Sequence, residues 1–332
     1  MPLAKLKSIA WLIICLFLIL SCSNNPTEES IATRTEEYRQ RASQYYNAGS
    51  YAQAFQQARL GLELDEEDGG LNLLAGRALM MQRDLQQVAI ARYYLERAET
   101  LLDSYKAQFS LGEFHYRYGS MLNAAAIKQR QSIAEFPSND EEIRLAETIK
   151  NEERFKKAKE HFADATKLLQ KVLQKVPNDL NSLQLAGQCY SLLEQYSDAK
   201  SHLKQAIKIL EESRQYKNRI IANDTSMSIE QEKETRRKLQ QDIQNEVAIR
   251  LLLASINKKE KQFGLEILEY DIILSLDPKN LEAIYARGIC HYQLGSFTEC
   301  ISDLEDFVSS TTLAFESPPV QRALSIITEL KQ

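Results

Sequence analysis

The run Leu281–Ser310, LEAIYARGICHYQLGSFTECISDLEDFVSS, decides the fold. On both sides of Gly295-Ser296, apolar and small residues recur at intervals of three and four, the spacing of one helix face. Glycine ends a helix in the left-handed conformation. Serine starts the next by accepting from its free amides. Ser296 and Glu299 also fit the S-x-x-E pattern of a capping box. The run therefore reads as helix, tight turn, helix.

The pattern recurs. Gly49-Ser50-Tyr51-Ala52-Gln53-Ala54 and Gly119-Ser120-Met121-Leu122-Asn123-Ala124 match Gly295-Ser296-Phe297-Thr298-Glu299-Cys300. Each has glycine, serine, a large apolar residue and, three positions later, a small one; Ser50 and Gln53 form a second capping box. Residues 281–314 hold Gly288, His291, Phe297, Cys300, Leu304 and Phe307. Residues 180–213 hold Gly187, Tyr190, Tyr196, Ala199, Leu203 and Ala206 at the same spacing, and residues 247–280 hold Ala254, Phe263, Tyr270, Ile273 and Pro278 in register. A period of this length must be sought before any fold is named. It resembles the tetratricopeptide repeat, a 34-residue hairpin of helices A and B, and Leu276-Asp277-Pro278-Lys279-Asn280-Leu281-Glu282-Ala283 is similar to that family's junction between repeats. Small residues such as Gly187 and Ala199 belong where A and B cross closely, and aromatics such as Tyr190, Tyr196 and Phe297 fill the wider space around them. One hairpin cannot bury its apolar face, so neighbours must stack. The resemblance implies an all-α fold, a right-handed α-solenoid of such hairpins.

Seven repeats are expected between residues 35 and 314. Residues 35–179 read as four degenerate ones, at 35–68, 69–104, 105–138 and 139–179. Arg41 and Gly61 depart from the pattern in the first. Helix B starts late in the second. The third begins with Leu111-Gly112 and slips before Pro137, and the fourth shows Phe155, Ala158, Phe162 and Ala165. Residues 180–213 form the fifth repeat and 247–314 the last two. Between them, 214–246 is a charged helical insertion with a polar turn at Asn223-Asp224-Thr225-Ser226. A helix that is polar all round projects into solvent or packs on a partner, and a solvated long hairpin is the reading preferred. Residues 315–332 read as a capping helix: Ser317 followed by two prolines is a normal start, and Ala323, Leu324, Ile327 and Leu330 make one apolar stripe for the last repeat.

The amino terminus carries an address. Lys5 and Lys7 precede an unbroken apolar run, Ile9–Leu20, too short for a membrane-spanning helix of about 20 residues but suited to a secretory signal. Ile19-Leu20-Ser21-Cys22 resembles the lipobox of bacterial lipoproteins. That likeness implies a signal peptide at 1–21 and a diacylglycerol thioether on Cys22, with N-acylation of the new terminus. Two or more chains hold a protein stably on a membrane. Residues 22–34 then read as the lipidated tether.

Composition excludes other classes. The 332 residues carry a formal charge of −5; loss of residues 1–21 removes two lysines and leaves −7, without the basic excess of a nucleic-acid protein. Of five cysteines, Cys22 is assigned to lipid; Cys189, Cys290 and Cys300 imply no disulfide framework, with Cys290 and Cys300 read as buried thiols over an occasional pair. His115, His161, His202 and His291 fall in four different predicted repeats with no zinc-ligand spacing, and His115 and His291 read as packed rings. No glycine-rich nucleotide loop occurs. With no catalytic constellation, no metal ligands and no cofactor other than the expected lipid, the chain reads as a non-enzyme.

The resemblance places the partner-binding groove on helix A: Arg39, Ser43 and Tyr46 in the first repeat, Gln184, Gln188 and Ser191 in the fifth, Tyr285, Ile289 and Tyr292 in the seventh. The last three form an i, i+4, i+7 stripe suited to a helical peptide, unless the final helix covers it. Some family members clamp carboxyl-terminal peptides with basic and asparagine residues. Here Ser43 and Leu74 stand where asparagines are expected, which disfavours that role. The expectation is a membrane-anchored scaffold at the bacterial cell envelope that binds a protein or peptide. Lipidated members of the family often assist outer-membrane or pilus assembly. The outer membrane's periplasmic face is preferred over the inner membrane because Ser23 is not the aspartate that retains many enteric lipoproteins. The alternative is a periplasmic ligand-binding module working with a transporter.

Overall fold

The structure, a computed structural model, describes residues 28–82, 84–135, 141–224 and 226–332. The expected signal peptide and Cys22 lie outside them. The described residues contain thirteen α-helices and no strand. They fall into two compact units that divide between Phe114 and His115.

In the first unit, α1 (Glu28–Asn47) pairs with α2 (Tyr51–Leu62), and α3 (Gly69–Met80) with α4 (Leu85–Leu102). Ala42, Ala58, Leu62, Leu71 and Ala75 form a core closed by Phe55, Leu74 and Tyr94. Helix α1 takes up the last seven residues of the expected tether. Glu28 and Glu29 occupy its first turn, where acids suit the helix dipole, and Thr35 is already buried.

The remaining helices are α5 (Tyr105–Glu135), α6 (Glu141–Lys175), α7 (Leu180–Leu192), α8 (Tyr196–Asn223), α9 (Ile229–Lys259), α10 (Phe263–Leu276), α11 (Leu281–Leu294), α12 (Phe297–Ser310) and α13 (Pro318–Leu330). In the second unit, α7 and α8, α9 and α10, and α11 and α12 pair as hairpins, and α13 packs on α12.

Close crossings repeat from hairpin to hairpin. A Cβ added at Gly76 would lie 2.5 Å from Leu95 Cγ, and one at Gly187 2.5 Å from Leu203 Cγ. At Gly288 it would lie 2.9 Å from Leu304 Cδ2, and at Gly119 2.9 Å from Phe162 Cε1. Glycine at these sites lets helix A lie directly on helix B. One turn before the large residue, helix B presents Ala91, Ala158, Ala199 or Cys300, all buried. In α10 the corresponding residue is Glu266, only 1% exposed. Tyr270 donates to its Oε1 at 3.2 Å, its Oε2 has no partner, and burial raises its pKa.

This correspondence corrects the reading of residues 105–179. Gly119-Ser120 is not a turn: it lies inside the 31-residue α5. Gly119 is the crossing glycine, and its partner Phe162 sits on α6. The segment therefore folds as one long hairpin rather than two repeats, and the described residues hold six hairpins plus α13.

The turns also differ from the sequence reading. Gly49 and Gly295 adopt positive φ as expected, and Glu194 and Lys261 hold the same conformation, φ 63° and 59°, at the corresponding positions. The next residue donates back in each: Ser50 to Tyr45 O (2.9 Å), Gln195 to Tyr190 O (2.9 Å), Gln262 to Asn257 O (2.8 Å) and Ser296 to His291 O (2.9 Å). This is a Schellman closure. It holds ψ of Ser50 and Ser296 near 64° and 72°, away from the extended region that a capping side chain needs, and neither forms a capping bond. Ser317 makes none either. Side-chain caps occur instead at Asp68, Asp84, Asp179, Ser228 and Asn280.

The charged segment 214–246 forms the distal parts of α8 and α9. Its base is tied by Arg250, which donates to Glu246 (2.9 Å), Glu269 (3.0 Å) and Glu211 (2.7 Å) across three helices. Arg214 donates to the other oxygen of the fully buried Glu246 at 3.3 Å. Lys217 and Ser213 both donate to Asp242 Oδ2.

Candidate functional site

In the first unit, the exposed sides of α1 and α3 line a shallow open groove of Glu36, Arg39, Gln40, Ser43, Gln44, Gly70 and Leu74. Arg39 is its fixed centre. It pairs with Glu36 and with the nearly buried Asp68, which also caps α3 by accepting from Leu71 N–H at 2.8 Å. The hydrogen bond that Arg39 donates to Asp68 is the main reason the Arg39 pKa is raised. A Cβ at Gly70 would lie 3.2 Å from Arg39 Cδ and Nε, so glycine leaves room for the guanidinium stem. Tyr46 completes the face: Arg77 lies over its ring at 4.7 Å, and Tyr51 meets it edge-on at 5.4 Å. Two sequence-predicted residues, Arg39 and Ser43, line the groove; Glu36, Gln40, Gln44, Gly70 and Leu74 were missed. Gln40 and Gln44 are four apart, beside Arg39 and Ser43, so helical spacing alone could have found them.

In the second unit, Gln184 and Gln188 are half-buried on α7 and reachable. Ser191 is not: it is 4% exposed. It continues the row of Leu183 and Gly187, four residues apart, which turns toward α8.

The third set is also corrected. Ile289 is 4% exposed and packs in one cluster with Val320, Ala323 and Ile326 of α13. Tyr285 stacks near Phe307 at 4.8 Å, and the Tyr292 hydroxyl donates to Glu329 of α13 at 2.9 Å. The stripe is the seat of the terminal helix, because the last hairpin has no further neighbour to bury its apolar side.

His115 and His161, expected in different repeats, face each other in the long hairpin, Nδ1 to Nδ1 at 2.9 Å, with Tyr118 edge-on to His161. His115 is a packed ring, as read. Among the described residues no group of three or more His, Cys, Asp or Glu side chains could hold a metal ion. Cys189, Cys290 and Cys300 are free and buried. Burial pushes the thiols of Cys189 and Cys290 up to about 12, which leaves them unreactive.

Stacked hairpins with a recurring crossing glycine define an α-helical repeat protein. The family model described as Tetratricopeptide repeat matches residues 142–212. Solved structures share the fold. PilF of Pseudomonas aeruginosa aligns with TM-score 0.52 and 11% identity over 89% of this chain and 98% of that one. The C-terminal part of a repeat protein from Cytophaga hutchinsonii aligns with TM-score 0.52 and 12% identity over 95% and 93%. A repeat protein from Parabacteroides merdae aligns with TM-score 0.50 and 12% identity over 90% and 97%. No curated protein matches the sequence.

Proposed function

We propose that the chain is a lipid-anchored, non-catalytic scaffold that holds a protein or peptide at the bacterial cell envelope. The observation that carries the binding half is the polar face of helix A. Gln40, Ser43 and Gln44 stand in an open groove beside the locked Arg39, and Gln184 and Gln188 are reachable on α7. Amide side chains donate and accept at once, which suits an extended peptide backbone. The open groove favours a scaffold over a ligand-binding module, which needs a more enclosed pocket.

The anchoring half rests on Ile19-Leu20-Ser21-Cys22. Because α1 starts at Glu28, six residue steps separate it from Cys22, at most about 20 Å of chain. A lipid on Cys22 would therefore hold the first hairpin close to the bilayer, on the outer membrane's periplasmic face.

Intact-mass measurement of native and Cys22→Ala chains from the envelope fraction tests this reading. Loss of residues 1–21 with an acyl-sized mass gain on the native chain alone is expected. A native chain that keeps residues 1–21, or carries no lipid, would overturn the anchor.

A further inference from the structure

The outer side of α4, a helix B, is unusually apolar for an exposed face. Ile90, Tyr93 and Leu101 are 49%, 55% and 39% exposed and share one stripe with Arg97 at helical spacing. The stripe runs three turns, about 16 Å at 1.5 Å per residue. It is held in place from behind: Tyr94 packs edge-on against Phe55 at 5.8 Å, and Arg97 lies over the Tyr93 ring at 5.8 Å. Arg97 also donates to Glu66 O at 3.2 Å, which fixes the loop between α2 and α3 against the stripe. Glu67, Tyr93, Glu96, Arg97, Thr100 and Leu101 line the resulting groove.

That loop is acidic: Glu63, Asp65, Glu66, Glu67 and Asp68. Glu63 is paired with Arg59, Asp68 with Arg39, and Glu96 with Arg92. No ion pair involves Glu66 or Glu67 among the described residues. Two carboxylates without an ion pair therefore border the stripe, against one cation within it, Arg97, whose hydrogen bond goes to a backbone oxygen.

We propose that this face is a second docking surface whose occupant is a basic amphipathic helix of a protein partner. Its apolar side would lie on Ile90, Tyr93 and Leu101, and its lysines or arginines would meet Glu66 and Glu67. Tyrosine and arginine are the residues most often dominant at such contacts. The same carboxylates repel an anionic membrane or nucleic acid. The surface lies on helix B and does not depend on the helix A groove.

The full chain in zwitterionic detergent is mixed with a 14-residue helix of leucine and lysine, apolar on one face, or with a scrambled peptide of the same composition. A carbodiimide then joins lysine amines to carboxylates, with loss of water, and peptide mass spectrometry locates the amides. Crosslinks at Glu66 and Glu67 should exceed those from the scrambled peptide by about tenfold, the loss typical of one strong contact residue. They should fall to the scrambled level in Tyr93→Ser/Leu101→Ser, whose retained fold is checked by an unchanged far-ultraviolet circular dichroism spectrum. Equal yields from the two peptides, crosslinks spread over other acidic residues, or full yield in the double variant would overturn the proposal.

Discussion

Adding one methyl group at Gly187 tests the hairpin register most sharply. Glycine inside a helix costs about 1 kcal/mol relative to alanine, so Gly187→Ala gains that much from backbone propensity alone. The new Cβ would lie 2.5 Å from both Cγ and Cδ2 of Leu203, about 1 Å inside ordinary contact. Leu203 is fully buried and cannot swing away. Overpacking of a tight core costs about 1–3 kcal/mol, sometimes more, and the depth of this clash places it at the upper end. The net loss expected is about 1–2 kcal/mol after the propensity gain is subtracted. Gly288→Ala should lose less, because its nearest contacts are 2.9–3.1 Å. Gly264→Ala should gain about 0.5–1 kcal/mol, because a Cβ there meets nothing within 4 Å. Urea unfolding followed by far-ultraviolet circular dichroism gives the ranking. Repeat arrays need not unfold in one step, so midpoints are compared rather than extrapolated free energies. Gly187→Ala as stable as the parent, or Gly264→Ala the less stable of the two, would refute the assignment of α7 and α8 as a close-crossing pair.

Three further outcomes follow from the same geometry. Arg250→Met should cost about 3–5 kcal/mol, since it leaves the fully buried Glu246 with Arg214 alone; a urea midpoint within error of the parent would show that the network contributes nothing. Lys261→Gly should stabilise by about 0.5–1 kcal/mol by relieving a left-handed lysine, read as a rise in melting temperature. Glu266 has a folded pKa raised by burial, so its contribution to stability is fully present below its unfolded pKa, about 4.3, and is lost as pH rises through the folded value. Measured against Glu266→Gln, the parent should therefore gain stability as pH falls from 7 to 4, and a difference that does not change with pH would contradict the buried, partly unpaired carboxyl.

Much of the fold was legible because its determinants are local. Gly295 with positive φ, Gly187 over Leu203 and the Ala199 position all follow from short-range sterics that a 34-residue pattern exposes. Gly119-Ser120 misled because a glycine and serine pair has the same letters in a turn and at a helix crossing. Only the partner distinguishes them, and Phe162 lies 43 residues away instead of the 16 between Gly187 and Leu203. Glu194 and Lys261 hide the same turn under residues that rarely adopt it. The site was legible in part for a related reason. Helical spacing identifies a face, which found Arg39 and Ser43. It does not say what covers that face, which is why Ser191 reads as open and the Tyr285, Ile289 and Tyr292 stripe reads equally as a groove or as the seat of the final helix. Glu266 could not be anticipated, because its position asks for a small residue and the sequence offers no compensating cation in α10.

In the proposed function, helix A faces hold a partner at the envelope. A photo-crosslinking amino acid placed in living cells at Gln184 or Gln188, with the exposed Lys208 of α8 as control, tests it directly. Protein adducts in the membrane fraction are expected from Gln184 and Gln188, none from Lys208, with loss from that fraction in Cys22→Ala. Adducts of equal strength from Lys208, or none from either glutamine position, would contradict it.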